Sequence, residues 1–162
     1  MDKELFNQHF ISLVETHAQS LAKLAFTYMK NMTDAEDIVQ DVFLTYYQKQ
    51  PDLSSDEHRK AWLIRTTINR CKNQLKSVWR KQRSELPEAI PAPDTLPDSA
   101  LMEAVLSLKE TYRTPLHLHY FEGYTAKEIA EILGIREAAA AKRIARARSK
   151  LKAALEQNGG AL

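Results

Sequence analysis

"YTAKEIAEILGIREAAAAKRIARARSKL" runs from Tyr124 to Leu151, and its reading decides how the chain folds. Thr125 with Glu128 three residues on is a capping box, in which each side chain satisfies the other's backbone amide at a helix start. Ile129, Ala130, Ile132 and Leu133 follow at helical spacing up to Gly134, the residue type that ends helices in the left-handed conformation. Beyond the apolar Ile135 a second helix begins. With Ile144 as reference, Ala140, Ala147, Leu151 and Leu155 fall in one apolar stripe. Ala138, Lys142, Ala145, Arg146 and Ser149 point away from it, flanked by Arg143, Arg148 and Lys152. A short capped helix, a glycine turn and a basic amphipathic helix together make a helix-turn-helix. A rigid spacer has no need of the glycine-turned partner helix, and a membrane-surface helix needs large apolar residues where this one has alanine. The major groove of duplex DNA is the better fit.

The rest of the chain supports a folded, DNA-facing protein. Its 162 residues, 44% hydrophobic with a formal charge of +2, suffice for one medium domain or two small ones. That small net charge hides blocks of opposite sign. Residues 1–57 are acidic, 59–83 carry nine Lys or Arg and no acid, 84–98 are acidic again, and 136–162 are basic. Two basic segments in an otherwise acidic protein suit a polyanion-binding surface whose other faces avoid that polyanion or meet a different partner.

Pro87, Pro91, Pro93 and Pro97 crowd into "SELPEAIPAPDTLPDS", where a helix would lose donors and clash at every turn, so 84–98 reads as a Pro-rich acidic linker. On either side apolar residues recur at helical spacing, and no useful stretch alternates with period two. The fold class expected is all-α: a helical bundle over 1–83 and a helix-turn-helix domain over 99–162, whose tail "NGGAL" should fray.

In the first domain, "TDAEDIVQDVFLTYYQKQP" reads as a helix with Thr33 as N-cap, Glu36 completing a capping box, and a stop before Pro51. Ala35, Ile38, Val39, Val42 and Tyr46 share one face. Asp37, Gln40, Leu44 and Tyr47 lie opposite, with Asp41 at the flank, a pattern shared by a partner-binding surface and an ordinary solvated face. After the loop "QPDLSSDEH" comes "RKAWLIRTTINRCKNQLKSVWRKQR", with Ile64, Ile68, Cys71, Leu75 and Val78 as the expected buried stripe. Its reverse face presents Thr66, Asn69, Asn73, Ser77 and Arg80, flanked by Arg65, Arg70, Lys72 and Lys76, a mixture suited to phosphates and base edges. Trp62 and Trp79 lie off the stripe, placed either to stack on unpaired bases or to pack against neighbouring helices.

Nothing in the chain points to catalysis. His117 and His119 diverge on a helix, the other histidines are isolated, and Cys71 is the only cysteine, so neither a metal site nor a disulfide is expected. No phosphate-binding glycine loop or nucleophile motif is present, and no cofactor is implied. No run approaches the roughly 20 apolar residues of a membrane span, and "MDKELFNQHF" is unlike a signal peptide, so a soluble cytoplasmic protein is expected.

With these residues placed, the chain resembles the extracytoplasmic-function sigma factors, small promoter-specificity subunits of bacterial RNA polymerase. "DAEDIVQDVFL" is similar to their polymerase-binding helix, "AWLIRTTINRCKNQLK" to their second-region promoter helix, and "YTAKEIAEILGI" with "KRIARARSKL" to their fourth-region helix-turn-helix. The resemblance implies that Asp37, Gln40, Asp41 and Leu44 dock on the clamp helices of the polymerase largest subunit. It assigns the minus-10 element to Arg65, Asn69, Arg70, Asn73, Lys76 and Arg80, with the loop Gln50 to His58 pocketing a flipped base. The minus-35 element falls to Thr125, Lys127, Lys142, Arg143 and Arg146. Core RNA polymerase, through clamp and flap, promoter DNA and an anti-sigma factor able to hold the protein at the membrane are the partners implied. The chain departs from the family pattern at Arg136, where Ser or Pro is usual, at Ala141 and Ala145, where larger side chains are common, and at Asn73, where Asp is common. A competing reading from another class is a regulator that binds duplex DNA without polymerase. A third is an adaptor that binds protein through its acidic face alone.

Overall fold

The computed structural model describes residues 2–84 and 99–157, with side chains placed for 2–78 and 100–157. Of the expected linker over 84–98, Ser84 is helical and residues 85–98 lie outside the described residues, as do the tail 158–162 and the side chains of Trp79 and Arg80. Among the described residues there are seven α-helices and no strand, and they divide into two compact units. No helix among them is long and apolar enough to cross a membrane.

The first unit contains α1 (Lys3–Met29), α2 (Met32–Lys49) and α3 (Asp56–Ser84), each packed against the other two. Leu24, Phe26, Val42, Leu63 and Ile64 are almost completely buried at its centre. Each such side chain contributes roughly 1.5–3 kcal/mol through removal of apolar surface from water. An aromatic cluster ties the three helices together. Tyr46 of α2 stacks at 6.4 Å on Phe6 of α1 and meets Trp62 of α3 edge-on at 5.5 Å.

The α2 start differs from the sequence expectation. The N-cap is Asn31, extended at φ −148°, whose side chain accepts the Asp34 N–H at 3.0 Å; Thr33 already lies inside the helix. The preceding residue, Lys30, closes α1 in the left-handed conformation, with its N–H reaching Phe26 O at 2.9 Å. Asn31 is therefore the first residue free to take the extended geometry a cap needs. The stripe on α3 also needs correction. Ile64, Ile68 and Cys71 are buried as expected, joined by Leu63 and Thr67, but Leu75 is half-buried and Val78 is 40% exposed. Burial falls away along the last described turns of the helix.

The second unit holds α4 (Ser99–Ser107), α5 (Glu110–Tyr120), α6 (Ala126–Leu133) and α7 (Glu137–Gln157), with α7 packed against the other three. The α6 capping box forms: Thr125 Oγ1 accepts the Glu128 N–H at 3.2 Å and Glu128 Oε1 accepts the Thr125 N–H at 3.0 Å. Gly134 ends α6 at φ +69°, where the Ile135 N–H folds back to Ala130 O at 3.0 Å. The buried Arg113 donates from Nη1 to the carbonyls of Leu106 and Leu108, both at 3.3 Å, and so fastens the end of α4 to α5.

Candidate protein and nucleic-acid interfaces

Helix α2 presents two faces. Ala35, Ile38, Val39, Val42, Phe43 and Tyr46 are buried in the core of the unit. Asp37, Gln40 and Asp41 are exposed, and Leu44 among them keeps 56% of its surface in water. Tyr47 lies at the edge of this face with its ring 5.1 Å from Phe10 and 5.6 Å from Phe6. Its hydroxyl donates to Asn7 Oδ1 at 3.1 Å, so its role is to tie α2 to α1. The exposed set is an acidic patch with one aliphatic centre.

Helix α3 carries the complementary charge. Arg65, Asn69, Asn73 and Lys76 are exposed on its outer side, and Arg70 is half-buried. A groove of about 550 Å³ separates this side from α2, and Asp41, Thr45, Trp62, Asn69, Arg70 and Asn73 are among its walls. Arg70 Nη2 donates to Thr45 Oγ1, and that hydroxyl donates to Asp41 O at 2.8 Å. Arg70 is thereby a strap from α3 to α2, a role its charge alone did not reveal. Trp62 both packs on Tyr46 and lines the groove, so the two alternatives for it are not exclusive. Thr45 and Lys49, on α2, border the groove too. Periodicity within one helix carries no signal for such residues, because the groove exists only once two helices meet.

The loop joining these helices is shorter than expected, since α3 starts at Asp56 and takes His58 with it. Short bonds hold its shape. Ser54 Oγ and His58 Nδ1 are 2.6 Å apart, Ser55 Oγ accepts the His58 N–H at 3.2 Å, and Arg59 donates to Leu53 O at 3.2 Å. Arg59 also pairs with Asp56, and that hydrogen-bonded guanidinium holds the Asp56 carboxyl below the usual carboxylate range. Nearby, burial pushes the Tyr46 phenol up from its ordinary value against the opposing pull of Arg59, and its hydroxyl lies 3.0 Å from His9 Nε2.

In the second unit the helix-turn-helix places its sequence-predicted residues as the stripe requires. Ala140, Ile144, Ala147 and Leu155 are buried, and Leu151 is half-buried. Lys142, Arg146 and Ser149 are exposed along the outer face, which Ala138 and Ala145 share, Arg143 is half-buried at the flank, and Thr125 and Lys127 are exposed at the start of α6. His117 is buried against Phe121 while His119 Nδ1 lies 2.8 Å from Tyr124 O, so the two histidines occupy separate environments. Tyr120 and Phe121 remain largely exposed, and the Arg148 guanidinium sits 5.4 Å from the Tyr120 ring.

Comparison with known proteins agrees with this arrangement of two units. Residues 13–81 match the family model for sigma-70 region 2, and residues 98–151 that for sigma-70 region 4. The chain is 33% identical over 130 residues to the RNA polymerase sigma factor SigV of Bacillus subtilis strain 168, covering 76% of this chain and 77% of that one. It is 26% identical over 161 residues to the ECF RNA polymerase sigma factor SigM of Mycobacterium tuberculosis H37Rv, covering 93% and 82%. In fold it is similar to the sigma factor RpoE from Bartonella quintana, solved in complex with the anti-sigma factor NepR. The TM-score there is 0.78 at 23% identity, over 92% of this chain and 98% of that one. The chain therefore belongs to the sigma-70 family in its extracytoplasmic-function class, as an alternative sigma factor that directs promoter-specific transcription initiation.

Proposed function

We propose a division of labour among the faces described above. Asp37, Gln40, Asp41 and Leu44 dock on the clamp helices of the largest polymerase subunit, with the second unit engaging the flap. Arg65, Asn69, Arg70, Asn73, Lys76 and Arg80 take the minus-10 element after its strands separate, and the loop from Gln50 holds a flipped base. Flipping costs a few kcal/mol and is offset by stacking and hydrogen bonds in the receiving pocket. Thr125, Lys127, Lys142, Arg143 and Arg146 meet the minus-35 element. The domains are then 1–83 for polymerase and minus-10 binding and 99–162 for minus-35 binding, joined by the linker 84–98. The protein acts in the cytoplasm and has no catalytic chemistry of its own.

One observation carries this reading: a single three-helix unit sets an exposed acidic face on α2 beside an amide-bearing basic face on α3, with a polar groove between them. An acidic face held that close to DNA is repelled by it, so it needs a different, basic partner. Exposed apolar residues on both units, Leu44 in the first and Tyr120 and Phe121 in the second, support an anti-sigma protein as a further partner. Such a protein covers them when the factor is idle. The test is gel filtration of the full chain with core RNA polymerase. Wild type should co-elute with core, and Asp37→Arg with Gln40→Ala should not, while its circular dichroism stays that of wild type. Co-elution of the double variant at wild-type strength would reject the α2 assignment.

A further inference from the structure

The second unit carries a feature beside α7 of which only Arg146 has an assigned contact. Tyr112 of α5 lines a shallow groove of about 460 Å³ together with Ala145, Arg146, Ser149 and Lys150 of α7. Its ring packs against the cluster formed by Leu108, Leu116 and Ala147, so its position is fixed from behind. Lys150 Nζ stands 5.2 Å from the ring centroid, within the range where an ammonium is attracted to an aromatic face. An exposed lysine otherwise spreads over many rotamers. Here the ring holds it beside Arg146 and Ser149.

The lining has the chemistry of a phosphate site. Beside the base-facing Arg146 it offers the Lys150 ammonium and the Ser149 hydroxyl, and the small Ala145 leaves open a wall that a larger side chain would fill. Its place along the helix also matters. Recognition helices reach base edges with their N-terminal part, and Ser149 and Lys150 lie in the second half of α7, where a sugar-phosphate strand passes as it leaves the major groove.

We propose that Lys150 and Tyr112 form a phosphate clamp at the α5–α7 junction. Lys150 neutralises a backbone phosphate flanking the minus-35 element, Ser149 adds a hydrogen bond, and Tyr112 is the positioning residue that holds Lys150 in place. The inference rests on the minus-35 reading given above. It assigns affinity, and no sequence preference, to this contact.

The experiment uses holoenzyme reconstituted from core RNA polymerase and the full chain. The DNA is a promoter recovered from a randomised library by wild-type holoenzyme, together with versions altered in the minus-35 element. Binding is measured across a series of salt concentrations. Loss of one phosphate contact lowers the slope of log affinity against log salt by about one. Lys150→Ala and Tyr112→Leu should each do so by the same amount on every DNA tested, and the double variant should fall no further. Tyr112→Phe should keep the wild-type slope, since the ring alone positions the lysine, and Tyr112→Leu retains an apolar side chain against the cluster. An unchanged slope in Lys150→Ala, or in Tyr112→Leu when Lys150→Ala lowers it, overturns the clamp while leaving the minus-35 reading intact. A wild-type holoenzyme indifferent to the minus-35 sequence overturns both.

Discussion

Arg143 and Arg146 stand three residues apart on α7, yet they should fail differently when removed. Arg146 is exposed on the outer face, while Arg143 is half-buried at its flank. Ala138, Ala141 and Ala145 leave little else on that helix able to reach base edges. Arg146→Ala should therefore lose discrimination at one or two minus-35 positions, at a cost of roughly 1–3 kcal/mol on the preferred sequence. Arg143→Ala and Lys127→Ala should weaken all sequences alike and lower the salt slope by about one. Run-off transcription across a set of minus-35 mutants at two salt concentrations separates these outcomes. An equal drop on every promoter for Arg146→Ala would assign specificity to the minus-10 contacts and DNA shape instead. At this scale the sequence was legible wherever a residue's role follows from its own helix: Lys142 and Arg146 point outward because Ile144 points in. It was not legible for Arg70, Tyr47 and Tyr112, whose partners sit on other helices, nor for Arg113, which is buried on the carbonyls of Leu106 and Leu108.

Helix ends make their own predictions. Gly134 at φ +69° has nothing within 4 Å of where a Cβ would stand, so Gly134→Ala suffers backbone strain alone, roughly 1–2 kcal/mol. Thr125→Ala removes the α6 cap and should cost about 1 kcal/mol. In the other unit Lys30 occupies the left-handed region at φ 58° with a side chain that disfavours it, so Lys30→Gly should stabilise by about 1 kcal/mol. Urea unfolding of the full chain, with each unit followed separately, checks all three. A neutral Gly134→Ala would show that the turn relaxes. The packing of α2 on α1 and α3 should also respond to pH. Tyr46 has a phenol pKa raised by burial, so its folded state holds the proton more tightly than the unfolded chain does. The stability this supplies is fully present below the unfolded value near pH 10 and is lost as pH rises through the folded one. Tyr46→Phe should unfold with a shallower alkaline dependence than wild type, and identical dependence in the two proteins would contradict the assignment. Element boundaries were readable where one cap motif stood alone, as at Thr125 and Gly134. At α2 the expected cap was Thr33, and the end of α1 at Lys30 sets it at Asn31 instead.

At the scale of the molecule, charge segregation ties the parts into one account. The acidic first helices and the two basic segments oppose one another in any encounter with duplex DNA, and the face proposed for the minus-10 element needs separated strands. The isolated chain should thus bind duplex promoter DNA weakly at physiological salt, as measured by fluorescence anisotropy. Tight sequence-specific binding by the chain alone would instead favour a polymerase-independent regulator. The two-unit, all-helical architecture was legible because four prolines interrupt the sequence between two stretches of helical periodicity. The groove between α2 and α3 was not, since it depends on how two helices meet. The most direct measurement of the central claim is run-off transcription by core RNA polymerase from a library randomised across the promoter, with and without the full chain. The added chain should select promoters sharing two sequence blocks at constant spacing, and Asp37→Arg with Gln40→Ala should abolish the selection. Transcripts unchanged from those of core alone, or selection that persists in the double variant, would contradict it.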